Sequence, residues 1–332
     1  MRGIRQGMVG TVVLVGLLMI TAPATGAAYK IGVLPWAGCA PAHVAAEKGF
    51  WAAEGVEVQV FTLPNGPAVQ NAMEKGLLHV GFEMIGGVAM LARRDAAVTV
   101  LAETGWSHGG DKIIIREGIG PDEIRSKPVG LYHQHPSVIF FLQKYLDGRG
   151  ISAADLRLVE MVSDALSDKF IDGLLDVIVN YDPDAARAVK AGNGRVAATS
   201  ADYPGCIPEG LLIMNRVRDV IPEADLVKIL RGWVRAAEWI ADPENRAAYL
   251  KILGERTFKG DLPEDALPDM AGAVRLHDPA TLAERNREGG GLSEYLAELS
   301  GFLGTTRTWG NVSLDPGAVF DNRWIMEAIG SR

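Results

Sequence analysis

Seven short segments of this 332-residue sequence gather carboxylates and aromatic rings while holding no Lys or Arg: residues 35–41, 83–87, 103–111, 133–136, 163–168, 181–184 and 203–209. Together they carry Glu83, Glu103, Asp111, Asp164, Asp168, Asp182, Asp184 and Glu209, the rings of Trp36, Trp106, Tyr181 and Tyr203, and the histidines His108, His133 and His135. Ionised carboxylates accept hydrogen bonds and balance positive charge, and aromatic faces attract cations. Such a set suits a cation or a polar molecule rich in donors. A sulfonate or nitrate site instead calls for basic side chains or clustered backbone N–H groups. One feature points that way: a helix starting near Pro41 directs its positive dipole end toward the same segments, an effect of up to about 1 kcal/mol.

Seven residues stand out as ligand contacts: Trp36, Glu83, Trp106, Asp111, His135, Tyr181 and Asp182. Glu83 follows the alternating Leu78, Val80 and Phe82, so its side chain leaves on the opposite face beside Gly86 and Gly87. It reads equally as the cap of the next helix. Asp111 follows Gly109 and Gly110, which permit close backbone approach, or it is a turn aspartate. Asp182 ends an apolar run and precedes Pro183, so capping a helix there is its competing role. Trp36 offers a ring platform or a core tryptophan.

The segments fall at the ends of short apolar runs that alternate with helical patterns, the signature of a parallel α/β sheet with ligand at the carboxyl ends of its strands. Strands are expected at 29–34, 56–61, 78–82, 98–102, 111–115, 129–132, 156–161, 177–180 and 196–198. Val138, Phe141, Leu142, Tyr145 and Leu146 mark one helix face by their 3.6-residue period. The last third is helical: Leu226, Ile229, Leu230, Trp233, Ala237 and Ile240 define one long amphipathic helix, and Leu292, Tyr295, Leu296, Leu299 and Leu303 another. We expect two lobes, residues 28–113 plus 213–332 and residues 114–212, with crossovers near Ile113 to Arg116 and Gly210 to Met214.

Arg2 and Arg5 precede an apolar run from Met8 to Ile20 and a small-residue stretch to Ala27, the pattern of a cleaved secretory leader over residues 1–27. The run is too short to span a bilayer. A formal net charge of −8 argues against nucleic acid as a partner. Cys39 and Cys206 are expected to be free thiols, although the compartment permits a bridge.

The stretches Lys30–Trp36 (KIGVLPW), Ala45–Trp51 (AAEKGFW) and Glu54–Val60 (EGVEVQV) come in the order and spacing of a known opening. With Gly109–Asp111, Phe170–Gly173, Asp176–Val179, Tyr203–Gly205 and Phe320–Trp324, the chain resembles the nitrate/sulfonate/taurine family of ABC-transporter binding proteins. The resemblance implies a periplasmic-binding-protein fold: two Rossmann-like lobes, a central cleft, and a helical C-terminal region on the first lobe. It also implies a non-catalytic periplasmic monomer without cofactor that hands a small molecule to an ABC permease in the inner membrane. The stretches Phe82–Gly86 and Ala102–Ile114 are similar to a branch linked with guanidine and urea-carboxylase systems. A guanidine-like ligand is planar, cationic and donates from all three nitrogens, which carboxylates in its plane would satisfy.

Other readings remain open. The sequence has no phosphate loop, no HExxH and no GxSxG elbow, but paired carboxylates in a cleft are also an acid and base for hydrolysis. His133 and His135 with His108, Asp111 or Glu83 would make a metal set. A sulfonate- or nitrate-type anion is the third alternative.

Overall fold

The computed structural model describes residues 28–132 and 135–330, so the leader and His133 lie outside the described residues. Among the described residues, eleven strands form two sheets. In the first, β1 (Tyr29–Val33), β2 (Val58–Thr62), β3 (Val80–Met84), β4 (Val98–Ser107), β10 (Pro208–Met214) and β11 (Val274–Leu276) lie in the order β11-β4-β10-β3-β1-β2. In the second, β5 (Asp111–Arg116), β6 (Pro128–Tyr132), β7 (Arg157–Met161), β8 (Val177–Tyr181) and β9 (Gly194–Thr199) lie in the order β7-β6-β8-β5-β9.

The expected α/β architecture with two sheets is present, but the sheets are mixed rather than parallel. β1 pairs in parallel with β2 and β3, and β6 with β7 and β8. β5 and β10 run antiparallel to their neighbours. These two strands receive the chain as it passes between sheets, and each enters at the cleft end and runs back away from it. Residues 113–116 and 210–214, expected as crossovers, therefore lie inside β5 and β10, and the passages fall at 107–111 and 199–208. The apolar character of 210–214 comes from the central place of β10 in its sheet, where every residue is buried.

Local sequence explains how the cleft is framed. Asn65 caps the helix Gly66–Glu74 by accepting from the Ala68 N–H at 3.0 Å, and Pro67 needs no donor in that first turn. His135 caps the helix Pro136–Asp147, its Nδ1 accepting from Ser137 N at 3.3 Å. The face Val138, Phe141, Leu142, Tyr145 and Leu146 is buried, as its period predicts. The other long helix, Glu223–Ala241, packs beside Trp51, whose indole N–H donates to Ile229 O at 2.9 Å. A Cβ at Gly232 would stand 2.1 Å from Trp51 Cδ1, so the close approach requires glycine. The helix Gly291–Gly304 also reaches the second sheet's helix Pro136–Asp147, through Phe140 against Tyr295 and Lys144 with Glu298 at 2.8 Å.

β4 is anchored by a buried charge cluster. Glu103 is fully buried and accepts from Arg285 Nε at 2.8 Å and Nη2 at 2.9 Å, with His277 Nε2 at 2.8 Å. Asn286 closes the same point by bonding the Glu103 backbone in both directions, at 2.7 and 2.8 Å. Removing one partner of a buried ion pair typically costs about 3–5 kcal/mol, because the remaining charge has no solvent. Arg285→Met should therefore lower unfolding free energy by about that amount in urea titration. A loss under about 1 kcal/mol would mean that β4 does not depend on this anchor.

Candidate functional site

Between the two sheets lies a cavity of about 80 Å³, lined by the residues after β1 (Leu34, Pro35, Trp36), the start of the helix Gly66–Glu74 (Pro64 to Pro67), Glu83, Met84, Asp111, Tyr132, His135, Tyr181 and Glu209. Pockets for drug-sized ligands run to roughly 300–1,000 Å³, so this one suits a smaller molecule. Its lining contains three carboxyl groups and no Lys or Arg.

Topology brings those carboxyls together. Glu83 leaves the end of β3, while Asp111 and Glu209 stand at the starts of β5 and β10, which run the opposite way. The start of an antiparallel strand lies beside the carboxyl ends of its parallel neighbours. In the register, Glu209 is opposite Met84 and Gly210 opposite Glu83, so the two glutamates occupy opposite sheet faces and border the cavity from both sides of the strand ends. A register shift between Glu209 and Gly210 against β4 bends the strand at this point.

Each carboxyl is buried and sparsely served by donors. Glu83 accepts from Gln70 Nε2 at 3.0 Å and Met84 N at 3.1 Å, with His135 Nε2 3.8 Å from its Oε1. Burial pushes its carboxyl up to about 7 against the opposing pull of these hydrogen bonds. Glu209 accepts from the Trp36 indole at 2.9 Å, and burial, reinforced by the charges of Asp111 and Glu83, raises it to about 8. Asp111 is raised by burial and held back by Ser107 and by the Tyr132 hydroxyl that donates to it. Rings close the space: Tyr181 stands edge-on to Trp36 at 6.3 Å and to Tyr132 at 4.8 Å.

Of the seven residues singled out from the sequence, Trp36, Glu83, Asp111, His135 and Tyr181 meet at this cavity. Asp182 does not line it. Its carboxylate pairs with Lys112 and caps the helix Asp184–Ala191 by accepting from Ala186 N at 3.2 Å, the competing role its Pro183 neighbour suggests. Trp106 lies on β4 outside the lining, edge-on to His277 at 4.7 Å with Arg285 over its ring. Glu103 is spent on Arg285 and His277, and Asp168 and Asp184 on Arg187. Glu209 belonged to the acidic set without being singled out, because its strand read as a crossover. Tyr132, the last residue of β6, gave no signal of its own. Among the described residues, no group of three or more His, Cys, Asp or Glu is placed to hold a metal. Cys39 and Cys206 are buried free thiols, as expected.

A broader groove of about 920 Å³ runs along the β2 edge over Lys30, Phe61, Leu77 and Arg256. His43 beneath it is engaged by Thr62 at 3.3 Å and Thr257 at 3.1 Å. No helix among the described residues is long and apolar enough to cross a membrane.

The fold recurs in solved structures. The chain is similar to a zinc-bound ligand-binding component of an ABC-type import system from Staphylococcus aureus (TM-score 0.71, 15% identity, 91% of this chain and 98% of that one). It is also similar to the periplasmic nitrate-binding protein of Synechocystis PCC 6803 (TM-score 0.68, 16%, 92% and 88%). The alkanesulfonate-binding protein of Xanthomonas axonopodis pv. citri, bound to MOPS, aligns comparably (TM-score 0.68, 13%, 90% and 100%). In sequence, a Brucella abortus protein named only as a binding protein is 26% identical over 227 residues, 63% of this chain and 67% of its own length. The NMT1-like family matches residues 22–254, well over half of the chain, and with the two-sheet architecture this establishes that the chain belongs to the NMT1-like family and has the periplasmic-binding-protein fold.

Proposed function

We propose that this protein is the solute-binding component of an ABC importer, working outside the cytoplasmic membrane and holding a small planar nitrogenous cation of the guanidine type between its sheets. The observation that carries this reading is the cavity itself: three carboxyls, the rings of Trp36, Tyr132 and Tyr181, no Lys or Arg, and about 80 Å³. A planar cation with donors on every edge satisfies the carboxyl oxygens that the protein leaves underused, and the rings of Trp36, Tyr132 and Tyr181 suit its faces. Its handover partner is a membrane permease.

An anion is the second reading, favoured by the solved relatives named for nitrate and alkanesulfonate and by the helix start at Gly66 that borders the cavity. The magnitudes oppose it. A helix N-terminus contributes about 0.3–1 kcal/mol to an anion. The lining holds no Lys or Arg to pair with an anion, and every surrounding carboxyl would have to stay protonated, since one ionised carboxylate about 4 Å away repels an anion by about 4 kcal/mol at an effective dielectric near 20.

Ligand discrimination is the direct test. Guanidinium at low millimolar concentration should raise the melting temperature, each tenfold excess over Kd adding about 1.4 kcal/mol. Nitrate and taurine should leave it unchanged; a larger shift with either would establish the anion reading instead.

Glu83→Gln, Asp111→Asn and Glu209→Gln should each weaken guanidinium binding by more than about tenfold, since a charged hydrogen bond contributes about 1.5–3 kcal/mol and the amide turns one acceptor into a donor. Asp182→Asn should change affinity less than about twofold, because an asparagine keeps the helix cap. Calorimetric titration separates the two groups, and equal affinities across all four variants would remove these carboxyls from the site.

We also infer that the lobes close on ligand about the passages at 107–111 and 199–208, since the cavity is completed from both sheets. Small-angle scattering should show a smaller radius of gyration with ligand; identical radii would argue for a rigid clamp.

A further inference from the structure

The geometry points to proton-coupled capture: a cation entering the Glu83, Asp111 and Glu209 cavity displaces protons that these carboxyls hold in the empty protein. This rests on the cation reading above. Three buried carboxyl groups from β3, β5 and β10 border one partly open space of about 80 Å³, and the lining supplies no Lys or Arg to balance them. They cannot all stay ionised without a counter-ion, because mutual repulsion and lost hydration both favour the neutral acids.

Arg94 and Lys112 are committed to other partners, and His135 supplies an imidazole to the lining. On the Glu83 side, His135 Nε2 stands 3.8 Å away, and Arg94 acts from behind Gln70, whose Oε1 it binds at 2.9 Å. Arg94 is also committed to Glu74 at 3.0 Å. Lys112 follows Asp111 in the chain but is bound to Asp182 and to Gly109 O at 2.8 Å. Tyr132, Tyr181 and the thiols of Cys39 and Cys206, which face the carboxyls from the surrounding elements, are all pushed further toward their neutral forms by burial. Glu83 near 7 and Glu209 near 8 agree with protons resident in the empty cavity at neutral pH.

Binding then exchanges a proton or protons for the cation, and affinity rises with pH by up to about tenfold per unit for each proton released. The empty protein behaves in the opposite sense. Glu83 and Glu209 titrate above an ordinary carboxyl, so the native state keeps protons that the unfolded chain has lost. The stability these two groups give is complete below about pH 4.5 and is lost as pH rises through about 8.

Titration calorimetry of the full chain with guanidinium at pH 6, 7 and 8, in buffers of differing ionisation enthalpy, counts the protons. We expect net release at pH 7, with affinity increasing at each step. Glu209→Gln should reduce the count and flatten the fall in ligand-free stability between pH 5 and 8, and proton release should persist in His135→Asn, which keeps the helix cap and tests whether the imidazole carries the proton instead. Guanidinium binding with no proton release at any pH overturns this inference and leaves the cation reading standing. Loss of the release in His135→Asn assigns the proton to the imidazole and overturns the carboxyl assignment. No guanidinium binding at any pH overturns both.

Discussion

The gathering of Glu83, Asp111 and Glu209 around one small space, with no Lys or Arg in its lining, is the constraint around which the rest of the cleft is arranged. Elsewhere the protein pairs its buried acids. Glu103, just along β4, receives two bonds from Arg285 and one contact from His277, and Asp176 sits between Arg116 and Lys127. A chain that pairs these carboxylates with Arg and Lys leaves three in a single cavity without either. Burial without pairing is unfavourable for an isolated fold, and such an expense persists where a ligand is meant to relieve it.

The mixed sheets are the means of assembly. A purely parallel sheet can deliver only strand ends to the cleft, which accounts for Glu83, Tyr132 and Tyr181. The antiparallel strands β5 and β10 bring their starts to the same edge, with Asp111 first in β5 and Glu209 second in β10. Both strands are also where the chain enters a new sheet. Two of the three carboxyls are therefore covalently continuous with the passages between the sheets, and any movement of one sheet against the other is felt first at them.

Much of this was legible in the sequence, for physical reasons that can be named. Strand positions followed from apolar runs, and the buried faces of the helices Pro136–Asp147 and Gly291–Gly304 followed from their 3.6-residue period. The absence of Lys and Arg from the strand-end segments holds for the cavity lining. Direction was not legible: a buried strand such as 208–214 looks the same whichever way it pairs, so Glu209 was under-read. β11 is three residues long and pairs only with β4, too brief for any pattern. Asp182 and Glu83 both carried a helix-cap alternative. Only the packing of Lys112 against one and of Gln70 against the other distinguishes them, and contacts of that separation leave no local trace.

The rings decide how charge and closure are joined. Trp36 belongs to the first sheet and donates to Glu209; Tyr132 and Tyr181 belong to the second, and Tyr132 donates to Asp111. The edge-on contact of Trp36 with Tyr181, together with the Gly86 N–H donating to Ser137 Oγ at 3.2 Å, crosses the seam between the sheets. Each sheet thus carries part of the carboxyl set and part of the aromatic wall. With the seam apart, water would solvate the carboxyls and no ligand would be held; with the seam shut and empty, the acids are left unpaired. On the proposed reading, a cation that displaces the protons of the empty cavity compensates the closed arrangement. Ligand affinity and seam closure are then two descriptions of one equilibrium, and a substitution in the wall acts on both.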